Sequence, residues 1–417
     1  MFYKLILFLK LIGREFKAQK LRMSLTILAI TWGTISITLL MAFSVGLEHQ
    51  MMKATSGLGK GIVILWSGQT TKVFQGLPPG RRIWFRPEDI DLMKERVPDI
   101  DLISGEYLRW GVTVEYGKNQ VNKLVSGVYP EFEELRSHYA QQGGRFINKL
   151  DYDHKKRVVF LGTRVAKELF GENNNPVGET IYLNGNPFTV IGVMVEKLQD
   201  SNYHGPDDNY IVIPATTFVA IFGDPYLDNI VYSVDPGVDT KDVERQLFSL
   251  FGGKYRFDPT DSHTLWFWDV VEQAEITKKV FIGVEIFMWF IGGMTLLIAG
   301  VGVANIMYVA VRERTREIGT KIALGAQKGH IIFQFMIEAL TIAFIGGSLG
   351  ILLSILVCRI FWMLPMEGAL ELLARPTVNW PVALATVITL SIIGFLAGFF
   401  PARRAASVNP VEALRYE

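Results

Sequence analysis

The chain reads as an integral membrane α-helical protein with four transmembrane helices, both ends in the cytoplasm, and one large exported α+β domain. Three observations predict this. Four apolar stretches reach membrane-spanning length without a charge; basic residues gather in the segments flanking them; and strand and helix patterns fill the long interval between the first two stretches.

Residues 23–47, 286–311, 339–358 and 376–402 contain no Asp, Glu, Lys or Arg. About 20 apolar residues at 1.5 Å rise cross a hydrocarbon core of roughly 30 Å. A soluble domain buries one such helix, hardly four. With their apolar flanks the spans are assigned to 23–47, 280–311, 331–358 and 376–402. Residues 1–22 carry Lys4, Lys10, Arg14, Lys17, Lys20 and Arg22 against Glu15 alone. The loop 312–330 has five basic and two acidic residues, and the end of the chain from Pro401 three and two. Short loops rich in Lys and Arg stay cytoplasmic. The loop 312–330 and the tail 403–417 are therefore inside, and 48–279 is exported. With 42 basic and 41 acidic residues overall, nothing suggests a nucleic-acid partner.

The first span is too long for the apolar core of a secretory signal, and its exit (Phe43 to Leu47) lacks an A-x-A-like cleavage site, so it reads as a permanent anchor. Ahead of it, Phe2, Leu5, Ile6, Leu9, Ile12, Gly13 and Phe16 recur at helical spacing with the basic residues mostly off that stripe. Such a helix lies on the inner face of the lipid bilayer or against a partner subunit.

In the exported segment, 61–66 reads as a strand and 86–96 as a helix opened by Arg86-Pro87-Glu88-Asp89. Residues 106–116 and 121–125 alternate like a hairpin across Gly117-Lys118-Asn119. Downstream, 229–234 reads as a strand, 240–251 as a helix and 254–257 as a short closing strand. Two β-α-β halves (61–126 and 228–260) separated by an insertion (127–223) predict a ferredoxin-like, porter-like module carrying a β-rich subdomain. Within the insertion, 158–162 is apolar, 163–170 helical, and 180–183 and 188–195 pair across Asn184-Gly185-Asn186. Residues 210–213 end at Pro214, and 216–222 reads as one more helix. Residues 264–285 and 48–57 read as helical continuations of the second and first spans, forming a stalk suited to carrying motion rather than lining a pore.

Chemistry-bearing motifs are few. No G-x-x-x-x-G-K-[ST], H-E-x-x-H or C-x-x-C occurs, and the single G-x-S-x-G, Gly346 to Gly350, lies inside the third apolar stretch rather than at a strand-to-helix turn, so no catalytic, cofactor or metal site is assigned. His204, Asp207 and Asp208 read as a solvated turn. The single cysteine, Cys358, reads as a small apolar helix residue, and an exported domain without cysteine must hold together by its core. Glu285 and Glu338 lie near span boundaries and Asn305 is the main interior polar residue, unlike the mid-membrane charges of ion-coupled carriers. Gly346/Gly350 and Gly394/Gly398 form G-x-x-x-G pairs, suited equally to packing within the chain or to dimerisation.

Residues 312–326, RERTREIGTKIALGA, read as a short cytoplasmic helix with Gly325 as its C-cap; its small residues let a partner's groove approach the backbone. The run from Glu317 to Ala326 resembles the coupling loop of the MacB/FtsX-like ABC transporter permeases. The tail PARRAASVNPVEALRYE resembles their C-terminal signature through Pro401, Ala402, Arg403, Ala405, Ala406, Pro410, Glu412, Ala413, Leu414 and Arg415. The four-span layout matches the family over essentially the whole chain. The resemblance implies a dimer, with itself or a related permease, bound to cytoplasmic ABC ATPase subunits that carry the ATP and magnesium. Arg314, Glu317, Ile318, Gly319, Lys321, Ala323, Leu324, Gly325 and Ala326 match the loop that docks there. It further implies substrate handling outside the inner membrane, with a periplasmic adaptor protein and an outer-membrane channel as further partners. Macrolide-efflux members fuse the ATPase ahead of the first span; this sequence has a short amphipathic helix there, so a separate ATPase is expected. The expected function is export; the alternatives are a lipoprotein-releasing subunit or an FtsX-like regulator of an extracytoplasmic hydrolase.

Residues 48–279 expressed alone are expected to be soluble and to melt at the same temperature with and without reducing agent; dependence on an oxidant would contradict a domain held by its core alone.

Overall fold

The computed structural model describes residues 20–59, 61–172, 174–197, 199, 203–364, 375–378 and 380–407. The amphipathic stripe of residues 2–16 and the tail residues Pro410, Glu412, Ala413, Leu414 and Arg415 lie outside the described residues. Two compact units result, Met51–Thr277 and the remainder of the chain.

In the first unit, helix α1 (Lys20–Leu58) ends before β1 (Ile62–Ser67), and α2 (Pro87–Arg96) leads to the long strand β2 (Ile100–Tyr116). Strand β3 (Asn119–Val128) and the short helices α3 (Phe132–Leu135) and α4 (Lys149–Asp153) follow. Next come β4 (Val158–Leu161), α5 (Thr163–Phe170), β5 (Thr180–Leu183), β6 (Asn186–Val193), β7 (Tyr210–Pro214) and α6 (Ala215–Phe222). Strand β8 (Asn229–Val234), α7 (Thr240–Tyr255) and β9 (Leu265–Asp269) complete it.

Strands β9-β1-β8-β2 lie side by side, each antiparallel to its neighbour. The halves β1-α2-β2 and β8-α7-β9 are thus interleaved, which is the expected ferredoxin-like arrangement. Strand β2 continues beyond β8 and pairs with β3 and β5; through β3-β7-β4-β6-β5 the ladder returns to β2, closing a six-stranded ring. Closure removes the exposed edges that an open insertion would carry. Where β2 passes from one module to the other its register with β3 shifts between Arg109 and Val112, and Gly111 supplies the positive φ, +70°. Asn184 and Gly185, both at positive φ, make the two-residue turn between β5 and β6.

Three sequence expectations are corrected here. The hairpin β2–β3, assigned to the ferredoxin-like module, supplies two staves of the ring. The closing strand is β9, not 254–257: α7 runs through Gly252-Gly253 to Tyr255. A Cβ on Gly252 would lie 2.9 Å from Pro259 and 3.1 Å from the Phe257 carbonyl, so this glycine admits the returning chain rather than breaking the helix. The aromatic run of β9 fits both periodicities over five residues, and helix α8 starts only at Val270.

The turn before β7 is likewise not solvated. Asp207 is 2% exposed. Its carboxylate accepts from Arg136 Nη2 (2.8 Å) and lies 3.0 Å from His138 Nε2 and 2.6 Å from Lys197 Nζ. Arg136 also donates to the Tyr203 hydroxyl, which itself donates to Glu106 (2.8 Å). Phe132, Phe146, Phe160 and Tyr210 surround the His138 ring. Burial disfavours ionisation of Asp207, but Arg136, His138 and Lys197 outweigh it and hold the carboxyl well below its usual range. Burial, reinforced by the Lys197 cation, pushes His138 down to about 4 against the pull of Asp207. Burial also pushes Lys197 down to about 8, with Asp207 opposing.

The second unit is a helical bundle of α1, α8 (Val270–Glu313), α10 (Lys328–Met363) and α11 (Trp380–Ala406), with α9 (Thr315–Ala323) between α8 and α10. All four long helices are apolar enough to cross a membrane. Small residues set their spacing. A Cβ on Gly346 would lie 2.8 Å from Ile30, and one on Gly350 2.5 Å from Thr34; Thr31 Oγ1 donates to the Gly346 carbonyl at 3.1 Å. On the next face Gly394 and Gly398 meet Ala343 and Ala339 at 2.9 and 2.6 Å by the same measure. Both G-x-x-x-G pairs therefore serve packing within the chain.

His138 of the unfolded chain binds a proton near pH 6.5 and that of the native chain near 4. Unfolding takes up that proton in between, so stability falls as pH drops from about 6.5 to about 4, by of the order of 3 kcal/mol. Protonation of Asp207, whose folded value is depressed, adds a loss at still lower pH. Urea unfolding followed by tryptophan fluorescence is expected to show this slope in the native chain and a flatter one between pH 6.5 and 4 in His138→Gln.

Candidate functional site: the cytoplasmic helix and its seat

The candidate site is built on α9. Helix α8 ends at Glu313, Arg314 leaves helical geometry (φ −102°, ψ 12°), and α9 starts at Thr315. The bend costs few hydrogen bonds. The Arg314 amide donates to Ala310 O (3.1 Å), the Ile318 amide to Arg314 O (2.9 Å), and Thr315 Oγ1 bonds the carbonyls of Val311 and Arg312. At the other end Gly325 adopts φ +95°, its amide donates to Ile322 O and that of Ala326 to Lys321 O, both at 3.0 Å. This is a Schellman termination. A Cβ on Gly325 would meet nothing, so the backbone angle alone requires glycine there.

The helix has two faces. Ile318 and Gly319 are buried, and Ile318 shares a core cluster with Ala402, Ala405 and Ala406 of α11, Phe335 of α10 and Met307 of α8. Ile322 and Ala326 pack against the same cluster. The opposite face shows Arg316, Glu317, Thr320, Ala323 and Leu324. Leu324 is 84% exposed, with the small, exposed Ala323 and Gly325 beside it. Ion pairs fix the register: Glu317 with Lys321 at 2.8 Å, one turn apart, and Arg314 with Glu338 of α10 at 3.5 Å. Lys321 also lies 3.5 Å from Gln334 Oε1. Glu338 is thus a partner of the cytoplasmic segment rather than a charge left at the span boundary.

The nine sequence-predicted docking residues therefore divide. Glu317, Ala323, Leu324 and Gly325 form the outer face. Arg314, Lys321 and Ala326 are half-buried, the first two in polar contacts that orient the helix. Ile318 and Gly319 turn inward and offer no surface. The C-terminal motif is part of the same construction: Pro401, Ala402, Ala405 and Ala406 are buried, Arg403 and Arg404 are exposed, and Arg404 lies 6.0 Å from the Tyr308 ring. Sequence reading took the motifs as two signatures; the fold makes one the seat of the other. The missed residues are Glu338 and Gln334, which lie a helix away and carry no local signal. Among the described residues no cluster of three or more His, Cys, Asp or Glu could hold a metal.

Residues 23–249 match the family model of the MacB-like periplasmic core domain, and 289–410 that of the FtsX-like permease C-terminal region. The chain is 31% identical over 412 residues to the macrolide export ATP-binding/permease protein MacB of Bdellovibrio bacteriovorus, covering 96% of this chain and 60% of that protein. It is 27% identical over 407 residues to the uncharacterized ABC transporter permease YknZ of Bacillus subtilis, covering 96% of both. The periplasmic region of MacB from Actinobacillus actinomycetemcomitans aligns over 53% of this chain and 94% of that structure, with 19% identity and a TM-score of 0.42. The chain thus spans about 60% of the length of the MacB relatives it matches.

Replacing Ile318 by Asp places a charge in the α9 seat and is expected to cost more than about 4 kcal/mol. Leu324→Ser should stay within about 0.5 kcal/mol of the native chain. Thermal unfolding in detergent separates the two, and equal melting temperatures would contradict the two-faced helix.

Proposed function

Because this chain belongs to the family of ABC transporter permeases that join a MacB-like periplasmic core domain to an FtsX-like permease domain, we propose that it is the membrane subunit of an exporter driven by a separate cytoplasmic ATPase. The observation that carries the reading is the outer face of α9. A leucine 84% exposed at the end of a short helix, flanked by residues too small to shield it, is a knob awaiting a hole. The inner face is bolted to α8, α10 and α11 through Ile318 and the alanines of the C-terminal motif. A body seated on Leu324 therefore moves the bundle and not a loose loop. The YknZ relative, matched over 96% of both chains, favours an ATPase on its own polypeptide.

Two copies of the permease and two of the ATPase form the working unit in this reading, placed in the cytoplasmic membrane with residues 51–277 outside. ATP and magnesium reside on the partner. Handling of substrate outside the membrane is favoured over passage through the spans because, among the described residues, the faces where the long helices meet are filled by glycines packed against aliphatic side chains, with Glu338 near one span end as the buried carboxylate. The relatives' names include macrolide export, which makes amphipathic antibiotics the first substrates to assay; an adaptor protein and an outer channel are further parts of the proposal.

A tagged chain purified in mild detergent is expected to bring down a P-loop ATPase. Leu324→Glu should reduce its recovery by roughly tenfold or more, the loss typical of a central interface residue, with unchanged melting temperature. Native recovery in that variant would sink the docking assignment, and absence of any ATPase from the wild-type preparation would sink the transporter reading.

A further inference from the structure

Helix α1 ends and helix α8 begins inside the exported unit, and each terminus is held by a buried charge of the sign its dipole favours. The last carbonyls of a helix have no partner within it. At the end of α1, Leu58 O accepts from Arg136 Nε at 2.6 Å. The same guanidinium reaches Asp207 at 2.8 Å and the Tyr203 hydroxyl, and its side chain is 2% exposed. Gly59 follows at φ +153°, where a Cβ would strike the Leu135 carbonyl and come within 2.6 Å of Ile62. The helix end is therefore pressed on the segment that joins the ring strands β3 and β4.

At the start of α8 the arrangement is mirrored. Asp269, 6% exposed, accepts from the amides of Val271 (2.8 Å) and Glu272 (2.9 Å). Its other oxygen accepts from the hydroxyl of Thr240, the first residue of α7. Lys241 adds an ion pair with Glu272 at 2.7 Å. This terminus belongs to the β8-α7-β9 half of the interleaved sheet. A water-exposed helix end would need neither charge; here each is desolvated and tied to one module, the cation to the ring and the anion to the sheet. The modules are joined along β2, through the apolar cluster in which Ile62, Ile64 and Val231 meet Leu124, Phe132 and Phe160, and through Glu106, which accepts from both Tyr203 and Asn229.

We propose that Arg136 and Asp269 are the coupling residues of the exported domain: displacement of α1 against α8 is delivered through Arg136 to the ring and through Asp269 and Thr240 to the interleaved sheet. This rests on the ATP-driven reading above and adds the points at which motion enters the domain. Arginine is required because only a planar fork serves Leu58 O, Asp207 and Tyr203 at once; lysine keeps the charge and loses the geometry.

The test uses the full chain with its co-purified ATPase, in a Cys358→Ser background. Spin labels are placed through Trp110→Cys on β2 and Trp266→Cys on β9, both exposed positions. ATP with vanadate is expected to shift the interlabel distance in the otherwise native chain. Arg136→Lys and Asp269→Ala should lose at least half of that shift while ATPase recovery persists; Asp269→Asn, which still caps, should keep it. Hydrogen exchange at residues 55–58 in Arg136→Lys, and at 271–273 in Asp269→Ala, should rise on the order of tenfold. A full shift in the loosened variants overturns the proposal, as does a native complex that hydrolyses ATP without any shift. Equal loss in Asp269→Asn would mark the residue as merely structural and overturn it too. A preparation with no ATPase instead overturns the transporter reading on which the proposal stands.

Discussion

A carboxylate without water must find its own counter-charges, and Asp207 organises the exported domain around that requirement. Taking the ion out of solvent costs several kcal/mol before any partner is counted. The compensation comes from separate stretches of chain: Arg136 and His138 after α3, Lys197 after β6, and Gln199 beyond it. These stretches have no regular secondary structure to align them, and the shared carboxylate supplies the alignment. Arg136 is then already oriented, through its remaining donors, toward Leu58 and Tyr203. The Phe132, Phe146 and Phe160 rings wall off His138, whose Nδ1 has no partner; a second proton there would be a buried donor with nothing to donate to.

The bundle rests on the opposite kind of constraint, the removal of side chains. Gly346 and Gly350 bring α10 onto α1, and Gly394 and Gly398 bring α11 onto α10. Lipid tails are as apolar as leucine, so close backbone approach and dispersion hold such helices together. The alanines at the end of α11 extend the same logic beyond the span and make the shallow seat in which Ile318 lies.

Much of this was legible in the residues. Charge-free length gave the spans, glycine spacing marked two close approaches without deciding between packing within the chain and dimerisation, and α5, β5 and β8 begin and end where their patterns do. What escaped had no local signature. The closure of six strands into a ring depends on β2 reaching past β8 to β5, a pairing fixed by residues 114–115 and 182–183. The buried state of Asp207 depends on cations distant in sequence, so a Gly-Pro-Asp-Asp run looked like an ordinary wet turn. In the cytoplasmic helix the motif identified the element and its Gly325 cap but not its orientation: Gly319 and Gly325 were both counted as docking surface, yet one is sealed in a core and the other bends the chain in the open. Gly252-Gly253 misled in the same way, as a close approach read as a break.

The interleaving of the two β-α-β halves also imposes an order on biosynthesis. Strand β1 pairs only with β8 and β9, so the first strand to leave the membrane has no partner until Asn229 and its neighbours follow. The ring strands, by contrast, find all their ring partners between residues 106 and 214. During export the insertion can close while β1 waits as an apolar, unpaired ribbon tethered to α1. Non-local pairing of this kind is slow and leaves edges open to other chains. For a nascent chain the vulnerable interval therefore lies between the emergence of Ile62 and that of Val234, and whatever guards the outer face of the membrane must cover that interval.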